Sequence, residues 1–282
     1  MIHINQILKK EIGISPNAIN QLYGGDINLV YHCIFDDKHL VIKVNDSKKF
    51  PQMFEKEKLG LDLLSRSYFK VPEVISIGTF KEYDYIIIEY IKQGNKLTWD
   101  LFGENLAKLH RISNDKFGLD HNNYIGSLVQ NNSFENEWSS FYCNNRILNL
   151  TKIARNKKLI DKKDCALIDQ LCIDIKNIIP EAKPSLIHGD LWSGNLLCNE
   201  NNQPVLIDPA VYYGHPEMDW SMLALFGDYP ESAFKKYKEV YPLENGFNER
   251  KKIHQLYPLL VHLILFGRQY YNSVKRIILK FS

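Results

Sequence analysis

Oxygen-bearing side chains cluster in the second half of the chain, in the stretch His188-Gly189-Asp190-Leu191-Trp192-Ser193-Gly194-Asn195 and at Asp208 shortly after it. Four residues separate Asp190 from Asn195, and the apolar run before Asp208 is typical of a short strand. Mg²⁺ is a hard cation that takes oxygen ligands, so one amide and one carboxylate suit a metal that bridges phosphate groups. We therefore predict that Asn195 and Asp208 bind a metal ion and that Asp190 orients an attacking hydroxyl.

The order and spacing of these residues match the catalytic loop of kinases, where a base aspartate precedes a metal-binding asparagine and a second metal-binding aspartate. The implied chemistry is transfer of a phosphoryl group from ATP with Mg²⁺, with Asp190 as the catalytic base. Positioning and neutralisation of charge are the main contributions of the protein to such a reaction. His188 is predicted to brace the loop by hydrogen bonding, because kinase mechanisms assign the base to the aspartate.

A lysine lies within an apolar segment near the N-terminus, Leu40-Val41-Ile42-Lys43-Val44. An unpaired ammonium group among apolar side chains is costly, so Lys43 needs an acidic partner. Glu57, on a predicted helix that follows, is the natural partner, and Glu55 is the competing one. A Lys–Glu pair of this kind holds the nucleotide phosphates in kinases, so Lys43 and Glu57 are predicted to serve ATP binding.

Two further segments are predicted to contact the nucleotide. Gly24, Gly25 and Asn28 precede the lysine-bearing strand by the length of a hairpin, and backbone N–H groups there are predicted to lie against the phosphates. This segment lacks the GxGxxG form and by itself is typical of an ordinary turn. Glu89 and Ile91 end a predicted strand at the place where an adenine-contacting hinge would fall.

The elements that must position these residues divide the chain into two unequal lobes. Up to about residue 92 the pattern predicts short strands around one helix, preceded by a short amphipathic helix, and beyond it mainly helices. Predicted strands are 28–35, 39–44, 71–80, 84–91, 196–198 and 205–207, and predicted helices are 2–10, a segment opened by Pro51, 101–111, 133–154, 164–179 and several within 218–278. The predicted fold class is α+β and kinase-like, with an antiparallel-sheet nucleotide-binding lobe at 1–92, a flexible break at 93–95 and a helical catalytic and substrate-binding lobe at 93–282.

The charge balance argues against a nucleic-acid or membrane-surface protein. Lys and Arg number 35 and Asp and Glu number 33, which leaves a formal net charge of +2. The longest apolar stretches are shorter than the roughly 20 residues that span a bilayer. The five cysteines lack metal-ligand spacing and predict free thiols in a reducing cytoplasm. We predict a cytoplasmic protein with a small-molecule partner, monomeric or weakly dimeric.

With these residues assembled, the chain resembles the fructosamine kinase (ketosamine-3-kinase) family, a branch of the kinase-like fold near aminoglycoside and choline kinases. The segment from His188 to Asn195 is similar to the family's catalytic signature, and Trp192 is its most discriminating residue. The resemblance covers nearly the whole chain. Other matching stretches are 24–28, 54–61, 106–110, 123–126, 212–219 and 265–267.

The resemblance implies transfer of phosphate from ATP to the sugar 3-hydroxyl of a ketosamine, such as a fructosamine or ribulosamine, free or on a glycated protein side chain. The product sheds the amine, which amounts to deglycation. The resemblance favours Glu57 over Glu55 as the partner of Lys43. It also implies that Asp219 holds the backbone of the catalytic loop, and that Trp192 packs against the substrate, with buried support of the loop as the alternative.

Two other functions stay open from the sequence. The same mechanism could act on an aminoglycoside, choline or another metabolite, but Trp192 and the distal matches argue against this. A nucleotide-binding pseudokinase is disfavoured because competent residues occupy every base and metal position. Phe134 and Asn144 depart from the residues common among relatives, in a region predicted to shape the acceptor pocket.

Overall fold

An antiparallel sheet forms the framework of the N-terminal lobe. The computed structural model describes residues 3–22 and 27–281. The strands are β1 (Ala18–Leu22), β2 (Leu29–Ile34), β3 (His39–Asp46), β4 (Val74–Phe80) and β5 (Tyr83–Glu89), and the helices of this lobe are α1 (Ile4–Ile12) and α2 (Met53–Leu64). The five strands pair in the order β1-β2-β3-β5-β4.

The central strands β3 and β5 are covered on both faces, which explains their nearly unbroken apolar runs. On one face Ile42 packs in a cluster with Leu8 of α1, and on the other Phe54 of α2 packs against the sheet. Successive side chains of a strand point to opposite faces. Lys43, which follows Ile42, therefore shares the face that α2 covers, and α2 is the helix that carries Glu57.

The C-terminal lobe is mainly helical. Its helices are α3 (Trp99–His110), α4 (Trp138–Phe141), α5 (Asn149–Asn156), α6 (Lys162–Ile178), α7 (Glu217–Leu223), α8 (Glu231–Val240), α9 (Phe247–Phe266) and α10 (Tyr271–Phe281), with short 3₁₀ turns at Ser193–Asn195 and Arg268–Tyr270. Short antiparallel ribbons pair β6 (Asn123–Ile125) with β7 (Leu128–Gln130), β8 (Ser185–Ile187) with β11 (Tyr212–Gly214), and β9 (Leu196–Cys198) with β10 (Pro204–Leu206). In the described part of the chain, no helix has the length and apolar character needed to cross a membrane.

The predicted fold class is confirmed, but the helix predicted at 133–154 is wrong at its start and in its middle. The helical segment begins at Trp138, because Glu135 exchanges backbone hydrogen bonds with Phe117 at 3.0 Å in both directions. Between α4 and α5, the segment Tyr142–Leu148 is a π-helix. Apolar spacing continues through such a segment, so the pattern does not distinguish it from an α-helix.

The N-terminal sheet also differs from the prediction at its edges. β4 begins at Val74 rather than at residue 71. β1 was not among the individually predicted strands. It is an edge strand with four exposed residues out of five, so its residues carry little of the apolar alternation that marks a half-buried strand.

The connection after β5 is tightly packed. The N–H of Gly94 donates to the carbonyl of Cys198 at 2.8 Å, and a Cβ atom at position 94 would lie 2.1 Å from the carbonyl oxygen of Asn199. Glycine is needed here so that two backbones can approach closely, which differs from the flexible break predicted. The predicted lobe boundary between residues 92 and 93 falls in this connection and stays a prediction.

A buried ionic cluster joins α7 to α9. The Glu217 carboxylate accepts hydrogen bonds from Nη2 and Nε of Arg250, the latter at 3.2 Å, and from Nε2 of His254 at 3.2 Å. The Nδ1 atom of His215 accepts from the backbone N–H of Glu217. His215, Glu217 and His254 are close enough to surround a cation, but the Arg250 guanidinium already neutralises the carboxylate. The cluster therefore fixes α7, the helix of Asp219, against α9.

We expect Glu217→Gln to lower the free energy of unfolding by about 3–5 kcal/mol at pH 7, because it leaves the buried charge of Arg250 without its partner. Urea denaturation measures this loss. Glu249→Gln, at an exposed position of the same helix α9, is the matched control and should change stability by no more than about 0.5 kcal/mol.

The effect of Glu217→Gln also depends on pH. Burial opposes ionisation of Glu217, but hydrogen bonds from His254 and Arg250 outweigh it and lower the pKa of this carboxyl to about 2 from an ordinary value of 4.5. Its stabilising contribution is fully present above pH 4.5 and is lost as the pH falls toward 2. The difference between wild type and variant should shrink across that window, and a constant difference would contradict the assignment.

Candidate active site

The predicted site residues meet in a cleft between the sheet and the helical lobe. A cavity of about 350 Å³ lies there. Part of its wall comes from the N-terminal lobe, part from the loop after β8, and part from α9. The predicted site residues in its wall are Asn28, Lys43, Glu57, Asp190, Trp192, Asn195 and Asp208.

The loop after β8 is anchored by a carboxylate of α7. Asp219 accepts hydrogen bonds from the backbone N–H groups of His188 at 2.8 Å and Gly189 at 3.0 Å, and Nε2 of His110 donates to it at 3.3 Å. Burial favours the protonated form of Asp219, but the hydrogen bond from His110 and the neighbouring histidine rings outweigh it, and its pKa lies below the usual range. The expectation that Asp219 holds the loop backbone is confirmed.

The ring of His188 braces the same loop. Its Nδ1 atom accepts from the backbone N–H of Asp190 at 3.2 Å, and its Nε2–H donates to the carbonyl of Ile207 at 3.0 Å. Both nitrogens are engaged, and burial lowers the pKa of the ring, so it stays neutral. His188 thus ties the loop to the residue that precedes Asp208, as predicted.

Asp190 and Asn195 lie side by side. The Nδ2 atom of Asn195 donates to the backbone carbonyl of Asp190 at 2.9 Å and to its Oδ2 at 3.1 Å. Burial and the negative charge of Asp208 raise the pKa of the Asp190 carboxyl to about 7, against the opposing hydrogen bond from Asn195. A carboxylate with a pKa near neutrality can accept a proton from a hydroxyl more readily than an ordinary one.

The oxygen atoms in this cavity fit a magnesium ion. The amide nitrogen of Asn195 is committed to Asp190, and within residues 3–22 and 27–281 no donor is found on Asn195 Oδ1. The Asp208 side chain is 45% exposed and lines the same cavity. Asp208 also has a φ of 54°, in the left-handed region, which aspartate adopts more readily than most residues other than glycine.

Lys43 reaches the cleft from the N-terminal lobe. Its Nζ atom donates to Glu57 Oε1 at 2.7 Å and also contacts Asp208 Oδ1. Glu55 is exposed, so the choice of Glu57 over Glu55 is confirmed. Burial disfavours the charged amine, but the charges of Asp208 and Glu57 outweigh it and hold the pKa of Lys43 above its usual value. The lysine is therefore a fixed cation that touches both lobes.

Trp192 lies over the backbone of Gly194. A Cβ atom at position 194 would be 2.3 Å from the indole ring, so glycine makes room for it. Trp192 lines the cavity and is 37% exposed. That exposure does not fit the alternative of a buried support for the loop.

Two predicted nucleotide contacts, Glu89 and Ile91, are not brought into the described part of this cavity. The backbone N–H of Glu89 donates to the carbonyl of Glu73 at 2.9 Å, and Ile91 is buried. Neither residue belongs to the described part of the cavity wall, and their contact with adenine stays a prediction. Gly24 and Gly25 lie outside the described residues.

Phe134 and Asn144 lie away from the described wall of this cavity. Phe134 is exposed and Asn144 donates to Glu135 at 3.3 Å. The wall formed by described residues contains neither Phe134 nor Asn144, and their effect on an acceptor stays a prediction. The sequence pattern predicted one long helix for this region. It did not show which side chains of the region are exposed.

Residues of α9 and of the β6–β7 ribbon (Asn123–Gln130) form part of the cavity wall. The sequence analysis assigned these residues no role. The wall includes His262 and Phe266 from α9 and Tyr124 and Ser127 from the ribbon. Tyr124 and Phe266 fall within the matching stretches 123–126 and 265–267, which lie far from the catalytic loop in the sequence, whereas no sequence signal marked Ser127 or His262. What was missing was the spatial proximity that only the fold supplies.

The sheet lobe presents Lys43, paired with Glu57, to a cavity lined by Asp190, Asn195 and Asp208. This arrangement is typical of a kinase-like phosphotransferase. A family model described as fructosamine kinase matches residues 1–281, and the chain belongs to this family. It is an ATP-dependent kinase.

Individual relatives agree with this membership. The Enterococcus faecium protein named probable ketoamine kinase is 35% identical over 92% of this chain and 93% of its own length. The Arabidopsis thaliana protein-ribulosamine 3-kinase is 36% identical over 92% of this chain and 81% of its own. A Thermobifida fusca structure assigned as a fructosamine-3-kinase is 31% identical with a TM-score of 0.87, each chain covered to 99%. An aminoglycoside phosphotransferase, 17% identical over 98% of both chains with a TM-score of 0.65, shares the fold.

We expect Asp219→Asn to reduce turnover strongly, because the amide replaces an acceptor by a donor facing the N–H groups of His188 and Gly189. An unsatisfied buried donor should also lower stability by about 1–3 kcal/mol. Steady-state kinetics and urea denaturation measure the two effects. Asp169→Asn, at an exposed position of α6, serves as the control. Turnover equal to wild type in Asp219→Asn would rule out the anchoring role.

Proposed function

We propose that the protein transfers the γ-phosphate of ATP to the 3-hydroxyl of a ketosamine, the adduct of an amine and a reducing sugar. The observation that carries the proposal is the convergence of Asp190, Asn195, Asp208 and Lys43 on one cavity in a member of the fructosamine kinase family. The names of the Enterococcus and Arabidopsis relatives support a ketoamine acceptor. The Arabidopsis name adds protein-bound ribulosamines as candidate acceptors.

In this mechanism Asp190 is the base. Its carboxylate accepts the proton of the acceptor hydroxyl while the hydroxyl oxygen forms a bond to the γ-phosphorus and the bond from that phosphorus to the ADP oxygen breaks. The raised pKa of Asp190 suits this task, because the group must be ionised before the reaction and take up a proton during it. Asn195 fixes the carboxylate through the hydrogen bond to Oδ2.

Asn195 Oδ1 and the Asp208 carboxylate would hold Mg²⁺. The ion, when bound, neutralises charge on the nucleotide phosphates. Lys43 provides a second positive charge, fixed by Glu57, and can turn from Asp208 to a phosphate oxygen when the nucleotide binds. The protein's own contribution is thus to orient the hydroxyl and to place positive charge where the phosphate charge develops.

Trp192 is proposed to form the acceptor wall. Its exposed indole face lies in the same cavity as Asp190, and an aromatic face suits the apolar side of a sugar or the alkyl chain of an amine. His262 and Phe266 of α9 line that cavity too. The acceptor therefore lies between the catalytic loop and α9.

Incubation of fructoselysine or ribuloselysine with the protein and Mg-ATP should give a product heavier by one phosphoryl group, detected by mass spectrometry. Asp190→Asn should lose several orders of magnitude in turnover and still bind ATP, because the base is removed and the nucleotide contacts remain. The exposed Asp115→Asn is the matched control. If no ketosamine is phosphorylated, the proposed substrate is wrong. If Asp190→Asn turns over as fast as wild type, Asp190 is not the catalytic base.

Trp192→Leu should raise the KM for the ketosamine and leave the KM for ATP unchanged. An aromatic contact contributes about 0.5–1.5 kcal/mol, so the expected increase is roughly 2- to 10-fold. Initial rates at varied acceptor and fixed saturating ATP provide the measurement. Trp99→Leu, outside the cavity wall, should leave both constants unchanged. An equal rise in both KM values for Trp192→Leu would indicate disturbance of the loop instead of loss of a substrate contact.

A further inference from the structure

The β6–β7 ribbon, residues Asn123–Gln130, lies across the cleft and contacts both lobes. The hydroxyl of Tyr124 donates to the carbonyl of Pro51 at 3.0 Å, just before α2 begins. At the tip, a Cβ atom on Gly126 would lie 2.7 Å from Leu265 of α9 and 3.5 Å from Ile27 beside β2. The ribbon therefore connects α9 to the N-terminal lobe on the side of the cavity where α2 lies.

The base of the ribbon is fixed to the segment that follows Asp208. Asn123 Nδ2 donates to the carbonyl of Val211 at 2.8 Å, and Gln130 Nε2 donates to the carbonyl of Ala210 at 3.0 Å. Gln130 also donates to Asn123 Oδ1 at 2.7 Å. Both amides are at least 96% buried. Buried and mutually satisfied amides of this kind hold one geometry, because breaking any bond leaves a polar group unpaired.

The helix α2 packs on the same segment. A Cβ atom at Gly60 would lie 3.0 Å from the Pro209 ring and 3.5 Å from Val211. Glycine at 60 therefore lets the helix approach the residues that follow Asp208. Two contacts thus locate α2: Gly60 at its middle and the carbonyl of Pro51 before its first turn. Glu57 lies between them in the sequence.

We propose that Tyr124 is a positioning residue, which holds the start of α2 so that Glu57 stays paired with Lys43 next to Asp208. In kinases the Lys–Glu pair and the metal-binding aspartate must both be in place for phosphoryl transfer. Here the ribbon links the helix of Glu57 to the backbone beyond Asp208 by hydrogen bonds within the chain. The predicted effect of Tyr124 on the use of ATP rests on the proposed function, in which Lys43 binds a phosphate. Its predicted effect on the position of α2 does not depend on that function.

Tyr124→Phe removes the hydroxyl and keeps the ring. One hydrogen bond contributes about 0.5–1.5 kcal/mol, so kcat/KM for ATP should fall roughly 2- to 10-fold. In a Glu57→Gln background the same substitution should cause no further loss, because Tyr124 acts through Glu57. Tyr271→Phe, which removes a hydroxyl bonded to Asp164 on α6 at 3.1 Å, is the matched control and should leave kcat/KM at the wild-type value.

Hydrogen–deuterium exchange of the protein without nucleotide tests the same idea independently of the acceptor. The amides at the start of α2 should exchange faster in Tyr124→Phe, while those of α6 and α9 keep their wild-type rates. Equal losses from Tyr124→Phe in the wild-type and Glu57→Gln backgrounds would overturn the proposal. So would unchanged exchange in α2. The exchange measurement does not require ketosamine phosphorylation. If no ketosamine is phosphorylated, that result contradicts the proposed function and leaves the proposal for Tyr124 to be decided by the exchange rates.

Discussion

A lysine side chain that is 93% buried needs compensation, and the site is arranged around that requirement. An ammonium group removed from water is stable only with anionic partners, and Lys43 has Glu57 from its own lobe and Asp208 from the other. The sheet supplies the strand, α2 supplies one carboxylate and the segment after β10 supplies the second. This small set of charges therefore links the two lobes and places a cation in the cleft between them.

The catalytic loop is held by a buried charge of the opposite sign. This charge is the Asp219 carboxylate, and hydrogen bonds from backbone N–H groups compensate for its burial. Asp219 accepts two loop N–H groups and a histidine N–H, and His188 connects the loop to the strand that leads to Asp208. Asp219 is in turn located by α7, which the Glu217 cluster fixes against α9. A chain of buried, paired polar groups thus runs from the C-terminal helices to the loop that carries Asp190.

Much of this was readable from the sequence because each signal is local in the chain, even though Lys43 lies far from the other three residues. The spacing of Asp190, Asn195 and Asp208 and the burial cost of Lys43 are local properties, and the structure brings all four together. The walls contributed by α9 and the β6–β7 ribbon were not readable, because apolar periodicity reports that a residue is buried and not which distant segment it meets. The π-helix at Tyr142–Leu148 and the exposed edge strand β1 were missed because neither produces its own apolar pattern.

The left-handed backbone at Asp208 sets two physical requirements against each other at one position. Glycine would adopt the same φ with less steric cost, but it would remove the carboxylate that meets Lys43. An Asp208→Gly exchange would therefore ease the backbone and leave the lysine with one anion, Glu57. The backbone at position 208 is thus strained to the extent that a side chain is present there, and the side chain is what completes the charge balance of the lysine.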